Sequence, residues 1–147
     1  MTTTEREIRD PVDLCDEDGR TLNPSARGWS RRILHRANLA GKWGRTKRWD
    51  YWAIQAEHMI VAITVADIDY LGLATLDWIE PHTHRSGGRS ATVPFAGGID
   101  LPDRPATGRV DFDGRNLGVS IVYGEHATEL LAHWREKDGR SGSLSAT

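Results

Sequence analysis

Asp67 and Asp69, two residues apart and followed by Tyr70, are the first residues in this chain whose spacing points to chemistry. On an extended strand both carboxylates project to one face, roughly 7 Å apart. Such a pair can divide into a general acid and a general base when their surroundings push the two pKa values apart. Tyr70 or Arg48 would then steady developing charge. The competing reading carries more weight: the two carboxylates cap the end of a strand and pair with Arg or Lys from residues 27–48, because structural ion pairs also set carboxylates beside cations. A second constellation is Trp49-Asp50-Tyr51-Trp52. In an extended segment Asp50 and Trp52 share one face, and Trp49 and Tyr51 the other. Aromatic rings at the mouth of a β structure suit a flat or apolar ligand. Core packing and stacking under arginine explain them equally well.

Three weaker signals are set aside. His82 and His84, in PHTHR, point the same way if extended, and with His35, His58, His126 or His133 would resemble a metal set. No spacing fixes a third ligand, so a solvated loop is preferred and neither a metal nor another cofactor is expected. Cys15 is the single cysteine, which excludes an intramolecular disulfide, fits a reducing compartment and supplies no zinc pattern. No phosphate-binding glycine loop or nucleophile elbow is present, and Gly87-Gly88 and Gly97-Gly98 read as turns.

The stretch from Arg27 to Trp52, RGWSRRILHRANLAGKWGRTKRWDYW, interleaves Arg and Lys with Trp and Tyr and holds no acid before Asp50. A surface of this kind can bind phosphates and stack bases. Three observations disfavour nucleic acid. The whole chain carries a net charge of −2. Residues 5–18 are rich in Asp and Glu and can fold back on the basic stretch. Ile33, Leu34 and Leu39 interrupt the cations, as packing on a domain requires.

These residues need elements to position them. At 147 residues, with 38% apolar side chains, the chain suits one domain or part of one. Residues 1–13 read as a disordered acidic arm. Residues 14–50 read as an irregular basic and aromatic segment packed on the domain, with a tight turn at Asp18-Gly19 and one helical turn started by Asn23-Pro24. From Trp49 the apolar pattern takes a period of two. Strands are predicted at Tyr51 to Ala56, Met59 to Ile68, Leu73 to Glu80, Ser90 to Phe95, Val110 to Phe112, Leu117 to Tyr123 and Leu130 to Trp134. Two prolines make Leu101 to Gly108 a loop. The outcome is an antiparallel meander over residues 51–147.

Both faces of Met59 to Ile68 are largely apolar, which implies a barrel or sandwich wall covered outside and lined inside. The small residues Ala62, Thr64 and Ala66 would leave room for a ligand if their face looks inward. The alternative places them against a bulky neighbour such as Trp52 or Trp78. The longest apolar stretch, Met59 to Ala66, is about half of the roughly 18 residues a membrane helix needs. The opening MTTTEREIRD lacks a signal-peptide apolar run. A soluble cytoplasmic protein is therefore expected.

The strings ARGWSRR, LHRANL, KRWDYW and TVADIDYLGLA together resemble the N-terminal part of the family called domain of unknown function 2804. The likeness is clear over residues 14–76 and looser beyond. Ile33 and Ala37 stand where the resemblance leads one to expect Pro and Cys, so no role for that cysteine carries over. More distantly the family resembles lipocalin-like (calycin) β-barrels, which include carotenoid hydratases and some cyclase-type enzymes. That resemblance implies an antiparallel barrel or partial barrel and a lipid-like ligand, and it identifies no reaction. It also implies a longer protein, with SGSLSAT at the start of a further strand. The truncated barrel would leave an open edge prone to aggregation or self-association.

The function expected from the sequence is binding of a small apolar or amphipathic molecule. Trp49, Tyr51, Trp52, Ala62, Thr64, Ala66 and Arg48 are its candidate contacts. The alternatives are an enzyme on such a molecule, using Asp67, Asp69 and Tyr70, and a polyanion binder using residues 31–48.

Overall fold

The computed structural model describes residues 5–147 and contains no α-helix among them. The N-terminal segment holds two short strands, β1 (Val12–Asp13) and β2 (His35–Arg36), which pair in parallel. Between them lies one 3-10 turn, Pro24–Ala26, where the Asn23 side chain accepts the Ser25 N–H at 2.9 Å. The turn at Asp18-Gly19 also forms: Asp18 Oδ1 takes the N–H groups of Arg20 and Thr21, and Cys15 bridges Leu22.

Eight longer strands follow. They are β3 (Arg48–Gln55), β4 (Ile60–Asp67), β5 (Leu71–Glu80), β6 (Arg85–Pro94), β7 (Gly108–Gly114), β8 (Leu117–Tyr123), β9 (Thr128–Arg135) and β10 (Ser141–Ala146). They form two antiparallel four-stranded meanders, β3-β4-β5-β6 and β7-β8-β9-β10. The sheets pack face to face, β4 against β7, β5 against β8 and β6 against β8 and β9, which leaves β3 and β10 at opposite ends of the stack. The core between them is built by Val61, Ile63, Val65, Ala74, Leu76 and Trp78 from the first sheet. Val110, Phe112, Leu117, Val119, Ile121, Leu130 and Ala132 come from the second.

The expected barrel is therefore not closed: the architecture is a sandwich of two open sheets. The connection over residues 95–107 explains it. Pro102 and Pro105 have no N–H to offer a ladder, and the segment carries the chain across to the second sheet instead of pairing β6 with β7.

The faces of β4 also resolve. Register pairs Val61 with Trp78, Ile63 with Leu76 and Val65 with Ala74, so these large side chains fill the core. Ala62, Thr64 and Ala66 point to the opposite, outer face, beside Tyr51 and Trp49 across the ladder to β3. They line no interior, and they do not face Trp52 or Trp78, which lie on the core side. Burying the bulky side chains removes more apolar area from water, which decides which face turns inward.

Strand β6 begins at Arg85 and contains Gly87 and Gly88, which the sequence had pointed to as a turn. Gly87 pairs with Trp78, whose ring covers it; a Cβ there would stand 2.8 Å from the indole. Gly88 has φ +147° and its Cβ would meet the Leu76 carbonyl at 2.2 Å, so only glycine fits.

Residues 5–13, expected as a disordered arm, lie along the basic segment. Glu7 bridges Trp29, Ile8 is buried, and Val12 donates to the Leu34 carbonyl at 3.0 Å. Ion pairs reinforce this, Arg31 to Glu7 at 2.8 Å and Arg36 to Asp13 at 2.7 Å. Arg9 and Arg31 hold the Glu7 carboxyl below the usual carboxylate range, and Arg36 does the same to Asp13. Residues 1–4 lie outside the described part of the chain.

Candidate functional site

Strand β3 is the edge of the first sheet and lies beyond the strands of the second. Its core-side residues Arg48, Asp50 and Trp52 consequently look into a space that no facing strand fills. The N-terminal segment and the connection over residues 95–107 wall this space instead. The result is a pocket of about 540 Å³. Its apolar walls come from Leu14, Ile33, Ala37 and Leu39 on one side and Leu101, Pro102, Pro105 and Ala106 on the other. Trp52 and Tyr123 complete it, and Trp49 and Tyr51, which alternate to the outer face of this edge strand, also contribute to its lining.

One polar cluster sits in it. Tyr123 Oη donates to Asp50 Oδ2, and Trp52 Nε1 donates to Tyr123 Oη at 3.1 Å. The two rings are tilted, with centroids 6.1 Å apart. Burial, and then the bond to Asp50, push the Tyr123 hydroxyl far above its ordinary pKa, so it stays protonated and keeps donating. Arg48 fixes the rim. Its guanidinium donates to the Leu101 carbonyl at 2.7 Å and lies 3.0 Å from Asp103. Ala37 N–H donates to the Asp103 carbonyl at 2.7 Å, which joins the N-terminal segment to the same loop.

Of the residues singled out from sequence, Arg48, Trp49, Tyr51 and Trp52 meet in this pocket. Alternation placed Asp50 beside Trp52, and the register of β3 agrees. Ala62, Thr64 and Ala66 lie on the far face of the sheet. Asp67, Asp69 and Tyr70 sit at the β4–β5 turn and do not line the pocket. There Asp67 Oδ1 accepts the Asp69 N–H at 2.8 Å, and Asp69 Oδ2 accepts Gly44 N–H at 2.7 Å and Thr46 N–H at 3.1 Å. Asp69 adopts φ +68°, a left-handed conformation that Asp tolerates better than most residues. These carboxylates bind backbone rather than the Arg and Lys side chains that the capping reading had named.

Tyr123 was the residue that sequence reasoning missed. It read as the last apolar position of an alternating strand. The available signal was its hydroxyl, because a buried tyrosine needs a partner for it. His82 lies in the β5–β6 hairpin, edge-on to His58 with ring centroids 6.3 Å apart. Among the described residues no three His, Cys, Asp or Glu side chains are grouped to hold a metal, and no helix is long and apolar enough to cross a membrane.

Neither a curated protein nor a solved structure matches this chain. A protein-family model does, and it extends well past the strings that carried the resemblance, through both sheets. The chain belongs to the family described as domain of unknown function (DUF2804), whose model matches residues 5–146.

Proposed function

We propose that this protein is a binding module for a small apolar or amphipathic molecule, held in the pocket beneath β3. The observation that carries the reading is the pocket's construction: apolar walls around a mutually bonded Asp50–Tyr123–Trp52 cluster, with Lys47 and Arg48 also in the lining. Its volume of about 540 Å³ lies within the range of roughly 300–1,000 Å³ typical of small-ligand sites. The Tyr123 hydroxyl donates to Asp50 and accepts from Trp52, so the cluster's polar groups are largely satisfied by one another.

A medium-chain alcohol such as 1-decanol is a suitable neutral probe. Calorimetric titration is expected to show saturable one-to-one binding. Ala37→Phe, which places a ring in the cavity from the irregular segment, should weaken it about tenfold while the urea midpoint holds. Absence of saturable binding to the wild-type protein would remove the proposal.

A further inference from the structure

The apolar pocket does not end at β3. A second cavity adjoins it and shares Leu39, Lys47 and Trp49 as lining residues. The apolar part of this second cavity comes from buried Cys15, half-buried Leu39 and Trp49. Its rim is Arg20, Lys42, Arg45 and Lys47, and no acidic side chain lines it.

These cations differ from the rest of the basic segment. Arg31, Arg36 and Arg48 are each matched to a carboxylate, Glu7, Asp13 and Asp103 respectively. Arg20, Lys42, Arg45 and Lys47 make no ion pair among the described residues. The loop that presents three of them is held in place, because Asp69 clamps the Gly44 and Thr46 N–H groups from the β4–β5 turn. A pre-formed rim loses less entropy when it binds. At the other end of the groove stands the Asp50 carboxylate, about 10 Å along the strand from Lys47 by strand geometry. It repels an anion. The groove is thus apolar along its length, positive at one end and negative at the other.

We infer that the guest is a single-chain amphiphile with an anionic head, a carboxylate or a phosphate. Its chain lies under β3 and its head rests on Arg20, Lys42, Arg45 and Lys47. This deepens the proposed binding function and rests on it. Coulomb attraction to the rim and repulsion from Asp50 both set the same orientation, head outward and tail toward Trp52 and Tyr123.

The test compares decyl phosphate, 1-decanol and inorganic phosphate by calorimetry on the full chain. Decyl phosphate is expected to bind about tenfold more tightly than 1-decanol, since ionised hydrogen bonds are roughly twice as strong as neutral ones. That advantage should shrink in about 0.5 M salt, as exposed charges are screened. The double variant Lys42→Gln, Arg45→Gln, at residues that line the second cavity and not the first, should bind both amphiphiles about equally, with its affinity for 1-decanol unchanged. Equal wild-type affinities would overturn the anionic head and leave the pocket standing. Inorganic phosphate binding as tightly as decyl phosphate would show a surface anion site with no chain beneath it, and would also overturn the inference. So would binding to vesicles of anionic phospholipid without binding of the free amphiphile, because the head would then be recognised only in a membrane. Failure of both amphiphiles to bind would remove the pocket reading itself.

Discussion

Tyr123 carries more of the pocket's organisation than any other side chain. It links Asp50 on the first sheet to the second sheet and gives Trp52 Nε1 its partner. Tyr123→Phe leaves a half-buried carboxylate and an indole N–H without that hydroxyl. Loss of one partner from a desolvated polar group costs about 1–3 kcal/mol, which urea denaturation at neutral pH should register. The variant should also change the alkaline limb of stability. The hydroxyl's folded pKa is raised above its unfolded value of about 10, so its contribution is intact below pH ~10 and is lost as the pH climbs further. Wild type should therefore lose stability more steeply than Tyr123→Phe above pH ~10. Parallel pH profiles for the two proteins would contradict this account. Asp50 shows the limit of sequence reasoning at this scale. Alternation gave its face, while its partner lay 73 residues away, at what read as an apolar position of another alternating strand.

Among elements, the loop over residues 41–47 depends on a hairpin distant in sequence. Asp69 supplies two charge-assisted bonds to its backbone. Asp69→Ala removes both, and loop opening should become easier. Limited trypsin digestion is expected to cut after Lys42, Arg45 or Lys47 about tenfold faster in the variant, with the sandwich left intact. Unchanged cleavage would mean that the clamp does not hold the loop. The strands themselves were legible because alternation reports a half-buried pleated surface directly: β3, β4, β8 and β9 fall where Trp, Val, Ile and Leu recur at every second position. Strand β6 was legible only at its end. Its opening, RSGGRS, has no apolar residue to alternate, and on the neighbouring strand the Trp78 ring requires Gly87 and the Leu76 carbonyl requires Gly88. The closure of the sheets was legible only as a choice between barrel and sandwich. Alternation assigns faces within a strand, but the choice between a barrel and a sandwich lies in which strands fail to pair, here β6 with β7 and β10 with β3.

At the scale of the molecule, two open sheets present four edges, β3, β6, β7 and β10, among the described residues. Strand β10, SGSLSA, is the least defended, having neither charge nor proline. A second copy pairing along it is the expected form of self-association. Light scattering should show mass rising from monomer toward dimer with concentration, and Ser143→Lys with Ser145→Lys should suppress the rise. A strictly monomeric wild type with cooperative unfolding would exclude it. The offset between the sheets also has a kinetic meaning. Each meander pairs strands that are neighbours in sequence, so either can form through short loops. The pocket is made differently. Arg48 meets Leu101 across 53 residues, and Trp52 meets Tyr123 across 71. Loop-closure entropy must be overcome before such contacts are rewarded, and distant pairings accordingly form late. The site should be the last part of the protein to assemble during folding, completed only when two finished sheets bring opposite halves of the chain together.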